Sequence, residues 1–313
     1  MNINLVKSKK ILYAIFRYVI IFGISFYIVY PIILKLLFTF MNKDDIYDVT
    51  VKIVPRTFTL DNIKFVAEKM NYFTSLLNTL VFSLLIAVLQ TVFCLFTGYG
   101  FARFDFKLKK FWFAIVILTL LVPPQVVIAP LYLKFRFFNP YGFLSAFLPK
   151  NGVNLIGTPL PFVISSVTCM GLRNGLFIYI IRQFFKGISK ELEDAAHIDG
   201  AGHAKTYFLI MLPNAKPLAV TVMLFSFVWQ YNDIFFSSWY MSGANFLSTN
   251  LNFLASNVLS QIIISSADLR LDNAYANLIN ATGSMLVIAP ILIIYFVLQK
   301  QFTQSIERSG IVG

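Results

Sequence analysis

The two histidines of this chain, His197 and His203, lie in one charged segment together with Glu193, Asp194 and Asp199. Imidazole and carboxylate groups are common ligands of transition metals, so a metal site is the first chemistry to weigh. The histidines are six residues apart with two glycines between them, a spacing that fits no established metal motif. We therefore expect no bound metal, and we predict that both histidines face solvent or a partner protein.

Hydrolytic or phosphate chemistry finds no support in the sequence. Both histidines belong to that one segment, so no Ser-His-Asp constellation is recognisable elsewhere in the chain. The sequence also lacks a G-x-x-x-x-G-K-[ST] phosphate loop. We predict no catalytic residue and no cofactor bound by this chain, which is then not an enzyme.

A second polar group combines Trp229, Tyr231, Asn232 and Asp233. Aromatic faces beside hydrogen-bonding groups are the mixture that a sugar needs for its ring face and its hydroxyls, which predicts a substrate pathway. The alternative is that these residues belong to the aromatic belt at a membrane interface. Arg173 is equally open, as a pathway charge or as a side chain that extends to the membrane edge.

The rest of the sequence is suited to a membrane. Hydrophobic residues make up 58% of the 313-residue chain and charged residues only 13%, against about 25% in soluble domains. Six segments approach the roughly 20 apolar residues that a membrane-spanning helix needs. They lie at about 11–40, 73–101, 111–132, 160–181, 217–238 and 274–298. The third contains Pro123, Pro124 and Pro130, which mark either a broken-helix transport site or an ordinary membrane-helix kink.

Basic residues predict the orientation. Fifteen of the 26 Lys and Arg residues fall at the two termini and in the loops after the second and fourth segments. The positive-inside rule then places both termini, and the loop that follows Arg182, in the cytoplasm. The net charge of +12 is scattered between apolar segments, which favours contact with anionic lipid headgroups over nucleic acid.

The loop at 189–217 is predicted to form a short helix that rests on another surface. Ser189 is a candidate N-cap, and acidic residues in the first turn suit the helix dipole. The helix from Lys190 to Asp199 has only a weakly apolar face, so it has little reason to fold alone. Gly200 and Gly202 permit positive φ, which predicts a sharp turn before a second short helix.

The order DAAHIDGA, followed by Phe208 and Leu212-Pro213, resembles the EAA signature of the inner-membrane permeases of binding-protein-dependent ABC importers. The segments FIYIIRQFFKGISKELED, WQYNDIFF and QKQFTQSIERSGIVG are similar to the carbohydrate branch of that family, specifically its maltose-type, MalG-like subunits. The first Glu of the signature corresponds to Asp194. The other matching residues are Ala195, Ala196, Asp199, Gly200, Ala201, Phe208 and Pro213.

The resemblance implies an all-α transmembrane fold of six helices, the type I importer permease fold, in the bacterial cell membrane. The loop would then be a coupling helix, with Glu193 beside the signature, and would seat on a cytoplasmic ATPase that carries ATP and Mg. Implied partners are a second related permease, two ATPase subunits and an extracellular or lipid-anchored sugar-binding protein. The implied function is import of a carbohydrate, an oligosaccharide by branch, with this chain forming half of the pathway.

The resemblance divides the chain into a first helix and external loop at 1–70, a permease domain at 71–300 and a cytoplasmic tail at 301–313. The external segments 41–70, 139–159 and 240–273 are either solvated connectors or surfaces for a binding protein. A self-sufficient secondary sugar carrier, or a membrane enzyme, is the alternative function. Intramembrane carboxylates are what such a carrier needs, and the six segments hold none except Asp233 near one end.

Overall fold

The computed structural model describes residues 3–139, 152–265 and 269–310, and regular structure in these ranges is helical apart from two isolated β-bridges. The predicted all-α class is confirmed. In chain order the helices are α1 (Ile3–Thr39), α2 (Lys43–Tyr47), α3 (Asp61–Lys69), α4 (Tyr72–Arg103), α5 (Lys109–Leu121), α6 (Pro124–Arg136), α7 (Leu160–Val167), α8 (Asn174–Gly187), α9 (Glu191–Ile198), α10 (His203–Thr206), a π-helical turn (Tyr207–Met211), α11 (Leu212–Asn214), α12 (Lys216–Tyr231), α13 (Phe235–Tyr240), α14 (Leu247–Ser265) and α15 (Leu269–Gly310).

Three helices of the described ranges are long and apolar enough to cross a bilayer by themselves: Ile11–Thr39 of α1, all of α4, and Asn273–Val297 of α15. Two bent pairs reach the same length and apolar character if each pair counts as one crossing, which gives up to five. These pairs are α5 with α6, and His203–Asn214 with α12. The count of six spans and the cytoplasmic placing of both termini stay predictions.

The third expected span, 111–132, is not one straight helix. α5 ends at Leu121 and α6 begins at Pro124, and their axes differ by 106°. Val122 and Pro123 between them have extended backbone, with ψ of 117° and 137°. A residue before proline is pushed out of the helical region, so two successive prolines end one helix and start the next.

The fourth expected span, 160–181, is divided as well. α7 ends at Val167 and α8 begins at Asn174, so six residues interrupt the helix. Within this break Cys169 and Arg173 adopt left-handed φ of 58° and 62°. The left-handed conformation is costly for side chains with a Cβ and cannot continue a right-handed helix, so it ends α7 and redirects the chain into α8.

One expected connector and the tail are helical rather than irregular. The segment 240–273, expected to be irregular, contains the 19-residue α14. Residues 140–151 of the expected 139–159 connector lie outside the described residues. α15 continues without a break from the sixth expected span to Gly310, and only 311–313 of the expected tail are outside the described residues.

The chain contains two compact units, and unit 1 comprises Met1–Tyr72 and Asn250–Pro290. Polar side chains fasten it together: Lys35 donates to the Oγ of Ser284 over 3.0 Å, and the hydroxyl of Tyr72 donates to the Leu286 carbonyl, also over 3.0 Å. The amide of Asn62 donates to the carbonyls of Thr39 and Met41. The apolar side chains of 11–30 remain largely exposed, as expected of a lipid-facing helix.

Unit 2 comprises Phe73–Thr249 and Ile291–Gly313, and it contains two buried clusters. One joins the second half of α4 to α8, the π-helical turn and α12. A methyl group on Gly98 would lie 2.5 Å from Cγ2 of Ile181, so α4 and α8 approach closely at this glycine. The other cluster joins the first half of α4 to α6, α7 and α13.

Candidate functional site

α9 forms in the loop as the sequence predicts, displaced by one residue at its start. Glu191 is the first helical residue, and its N–H donates to the Oγ of Ser189 over 3.2 Å. The helix ends in a Schellman arrangement, in which Ala201 N–H donates to the Ala196 carbonyl and Gly200 N–H to the His197 carbonyl. Gly200 has φ of 78°, the left-handed conformation that favours glycine at this position.

Gly202 does not share that role. Both glycines permit positive φ, but Gly202 has φ of −73° and ψ of 166°, an extended conformation open to any residue. It is the N-cap of α10, whose four residues lead directly into the π-helical turn. The bend between α9 and α10 therefore rests on Gly200.

A buried ion pair fastens α9 to the end of α4. Nε of Arg103 lies 3.3 Å from Oε1 of Glu193, a charge contact in which the N–H is not aligned for a hydrogen bond. The same Oε1 accepts a hydrogen bond from the Tyr99 hydroxyl over 3.1 Å, and Nη2 of Arg103 donates to the Ile188 carbonyl over 2.7 Å. The side chains of Arg103 and Glu193 are only 5% and 14% exposed. Buried charges must be paired, so this contact fixes the position of α9.

Aromatic rings fill the space behind the ion pair. The ring of Tyr99 contacts those of Phe185 and Tyr207, with centroids 5.2 and 4.8 Å apart. Arg182 adds a second link, since its Nε donates to the Phe101 carbonyl and its guanidinium lies 3.8 Å from the centre of the Phe113 ring. The loop is thus packed against α4 and α8 through side chains, and Arg182 ties α8 to α4 and α5 beside it.

The opposite face of α9 is exposed. Ile198 is 86% exposed, and Leu192 and Asp194 on the same helix are also open to solvent. Phe208 and Leu209 of the π-helical turn add further exposed apolar surface. A charged helix with exposed apolar side chains on one side and an ion pair on the other is suited to bind a partner while staying attached to α4.

The predicted loop residues divide between these two faces. Glu193 and Ala196 face inward, and Ala201 is half-buried. The exposed members are Asp194, Ala195, Asp199, Gly200, Phe208 and Pro213.

The two histidines come together, with ring centroids 4.9 Å apart. Nδ1 of His197 lies 2.8 Å from the Ala201 carbonyl oxygen, and the His203 ring packs against Phe104. Among the described residues no group of three or more His, Cys, Asp or Glu side chains gathers in a metal-binding arrangement. The histidine pair therefore helps to shape the turn around Gly200.

The four predicted pathway residues are not gathered around one space. Asp233 caps α13, because its carboxylate accepts from the N–H groups of Phe236 and Ser237 and from the Ser237 hydroxyl. Tyr231 is fully buried, and Asn232 is exposed with its amide donating to the Val228 carbonyl. Trp229 stacks on Phe177 with 5.4 Å between centroids.

A cavity of about 560 Å³ lies in unit 2 where the two helix breaks face each other. Its wall includes Val122 and Pro123 of one break and Cys169 to Arg173 of the other. The guanidinium of Arg173 lies 5.7 Å from the ring centre of Trp229, which connects one predicted pathway residue to this wall.

Comparison with known proteins decides the family. Residues 90–308 match the family model described as "Binding-protein-dependent transport system inner membrane component". The chain belongs to this family. It is thus the permease subunit of a binding-protein-dependent ABC importer and a multi-pass protein of the bacterial plasma membrane, as the sequence predicts.

Individual relatives cover nearly the whole permease. The arabinooligosaccharides transport system permease protein AraQ of Halalkalibacterium halodurans is 27% identical over 93% of each chain. The maltodextrin transport system permease protein MalD of Streptococcus pneumoniae is 24% identical over 99% of each. A crystal structure of a bacterial ABC transporter involved in alginate import superposes with a TM-score of 0.69, at 19% identity, covering 93% of this chain and 97% of that one. This likeness confirms the permease fold.

Sequence reasoning missed the contacts that hold the loop. From the sequence, Arg103 is only one of the fifteen basic residues that predict the orientation. Its partner Glu193 and the hydroxyl donor Tyr99 lie 94 residues apart in sequence, so no local pattern links them. A single Arg in the last turn of an apolar helix was the one available signal.

Proposed function

We propose that this permease couples ATP hydrolysis to the import of an oligosaccharide through the loop at 189–217. The observation that carries the proposal is the two-sided α9, held inward by Arg103 and Glu193 and exposed outward at Leu192, Asp194 and Ile198. An ATPase that closes on ATP would carry the seated helix with it, and the ion pair would pass that movement to α4 as a rigid-body displacement.

The proposed assembly is this chain, a second related permease, two ATPase subunits and an external sugar-binding protein. ATP and Mg belong to the ATPase subunits, and this chain contributes half of the translocation pathway without catalysing a reaction. AraQ and MalD are named for the transport of arabinooligosaccharides and of maltodextrin, which supports an oligosaccharide as the substrate. Trp229, Tyr231, Asn232 and Asp233 stay candidates for the pathway wall or its immediate support.

The test is ATP hydrolysis by the reconstituted complex with and without binding protein and sugar. We would compare wild type with Gly200→Pro, which cannot adopt φ of 78°, and with Asp194→Lys, which reverses an exposed charge of α9. Both substitutions should reduce the stimulated rate to the basal rate while the chain remains in the membrane.

A matched control is Asp105→Lys. Asp105 lies between α4 and α5, its side chain is 97% exposed, and it pairs only with Lys109 four residues away in an exposed contact worth little energy. It should leave stimulation intact. If Asp194→Lys and Gly200→Pro leave stimulated hydrolysis and sugar uptake as in wild type, the coupling role of the loop is refuted.

A further inference from the structure

The cavity between the two helix breaks has the chemistry of a ligand site. Its volume of about 560 Å³ falls in the range of about 300–1,000 Å³ that is usual for ligand pockets. Every residue of its wall belongs to unit 2. Irregular backbone at membrane depth is tolerated where it is buried in protein or lines a cavity, and the 168–173 break lines this one.

Two buried amides converge on one point of the wall. The Oδ1 of Asn174 has no hydrogen-bond partner among the described residues, although Asn174 is only 1% exposed. A methyl group on Gly171 would lie 3.4 Å from that oxygen and 2.9 Å from Nε2 of Gln90. The other amide atom of Gln90 accepts from the Ser226 hydroxyl, which fixes the orientation of the Gln90 side chain. A buried acceptor without a partner is costly unless a ligand or water supplies a donor.

The remainder of the wall is apolar and aromatic with a cationic edge. Phe162, Phe236 and Tyr240 contribute aromatic rings. Among the described residues of the lining, Arg173 and Lys134 are the charged ones, and none is a carboxylate. Aromatic faces accept the apolar face of a sugar ring, amides exchange hydrogen bonds with its hydroxyls, and the absence of carboxylates disfavours a cationic ligand.

We propose that this cavity binds a segment of the transported oligosaccharide, with Asn174 and Gln90 hydrogen-bonding its hydroxyls and the aromatic rings packing on its ring face. The inference rests on the proposed function and deepens it, because it places a sugar site within this chain. It also moves the candidate site from Trp229–Asp233 to the helix breaks, where the guanidinium of Arg173 lies over the Trp229 ring.

The chain carries its own reporter for this cavity. Cys169 lies on the wall and is half-buried, whereas the only other cysteine, Cys94, is fully buried. We would measure the alkylation of Cys169 by N-ethylmaleimide in the nucleotide-free complex, with maltotriose and arabinotriose as probes and Cys169→Ser as the background. The sugar that stimulates ATP hydrolysis should slow alkylation about tenfold at ten times its Kd, since about one site in eleven is then empty.

A pair of variants separates occupancy from a general effect of the membrane helix. Leu118→Trp adds bulk at a wall position that is 54% exposed, and Leu121→Trp adds the same bulk on the same helix at a 74% exposed position outside the wall. Leu118→Trp should raise the KM for sugar uptake at least tenfold and abolish the protection of Cys169. Leu121→Trp should do neither.

The proposed function and the proposed sugar site can be refuted separately. If the wild-type complex shows no sugar-dependent ATP hydrolysis with either probe, the proposed function fails and this inference falls with it. If wild type hydrolyses ATP in response to sugar while Cys169 is alkylated equally with and without sugar, or not at all, the site is refuted and the proposed function stands. The site is also refuted if Leu118→Trp and Leu121→Trp show the same KM for sugar uptake and the same protection of Cys169.

Discussion

The loop end and the cavity end of unit 2 share α4 and α8 but differ in how completely the space between their helices is filled. At the loop end, the rings of Tyr99, Phe185 and Tyr207 and the pair Arg103–Glu193 occupy the space between α4 and α9. At the cavity end, about 560 Å³ stays open beside an unpartnered acceptor on Asn174. A part that passes on movement must resist compression, whereas a part that receives a ligand needs room.

The strongest test of this contrast is the removal of Arg103. Arg103→Met leaves Glu193 buried without its cation, which we expect to cost about 3–5 kcal/mol of unfolding free energy. Thermal unfolding of the detergent-solubilised complex would measure the loss of stability. Sugar-stimulated ATP hydrolysis should decrease with it. Adding Glu193→Gln should recover part of the stability, because the neutral amide still accepts from Tyr99. A single Arg103→Met variant as stable as wild type would show that the ion pair does not hold the loop.

Close packing between α4 and α8 predicts the next largest effect. Gly98→Ala places a methyl group 2.5 Å from Cγ2 of Ile181 and 3.2 Å from the backbone nitrogen of Arg182, and overpacking of this kind costs about 1–3 kcal/mol. Gly100→Ala is the matched control, since nothing lies closer than 4.0 Å to its new methyl. It should leave stability unchanged or raise it. Equal midpoints of thermal unfolding for the two variants would contradict the close approach.

Substitutions in the turn after α9 should have a smaller effect on stability, which arises from backbone strain rather than from overpacking. Gly200→Ala forces a residue with a Cβ into φ of 78°, which we expect to cost about 1–2 kcal/mol. Gly202→Ala, two residues on and in extended backbone, should be neutral. Gly200→Asn should fall between them, because Asn tolerates the left-handed region. Thermal unfolding and stimulated ATP hydrolysis would both rank the three variants, and an inverted order would refute the role of Gly200.

The smallest effect on stability is expected for a substitution at the cavity end. Arg173→Gly relieves the left-handed φ of 62°, a gain of about 1 kcal/mol, and removes the contact with Trp229, a loss of about 0.5–1 kcal/mol. The net change in stability should be near zero. Sugar uptake should still weaken, because the cationic edge of the cavity is gone. A large loss of stability would mean that this end is packed as tightly as the loop.

Local determinants explain why α9 was predictable. Ser189, the acidic first turn and Gly200 act within a dozen residues, so the sequence alone predicted the helix, its capping and its bend. The sequence shows that Gly200 and Gly202 can both adopt positive φ but not which of them does, because a glycine is permitted, not obliged, to adopt that conformation. The recognisable order of the signature predicted the family and hence the permease fold.

The helix breaks were harder to foresee. Pro123 and Pro124 predicted a bend, but its angle of 106° cannot be read from the sequence. The 168–173 break contains no proline and continues an apolar run, so hydropathy predicted one span from 160 to 181. The cavity between the breaks depends on how distant helices pack, which no window of the sequence contains.

α4 is an uninterrupted helix that carries Gln90 at the cavity and Arg103 at the loop. The two residues are 13 positions apart, which corresponds to about 20 Å of helix, so a tilt of about 10° about one point displaces the other by about 3.5 Å. α4 can therefore act as a lever arm between the proposed ATPase contact at one end and the proposed sugar site at the other. The length of helix between Gln90 and Arg103 would then set how far one end moves when the other is displaced. Inserting a full turn between these two residues would change that distance.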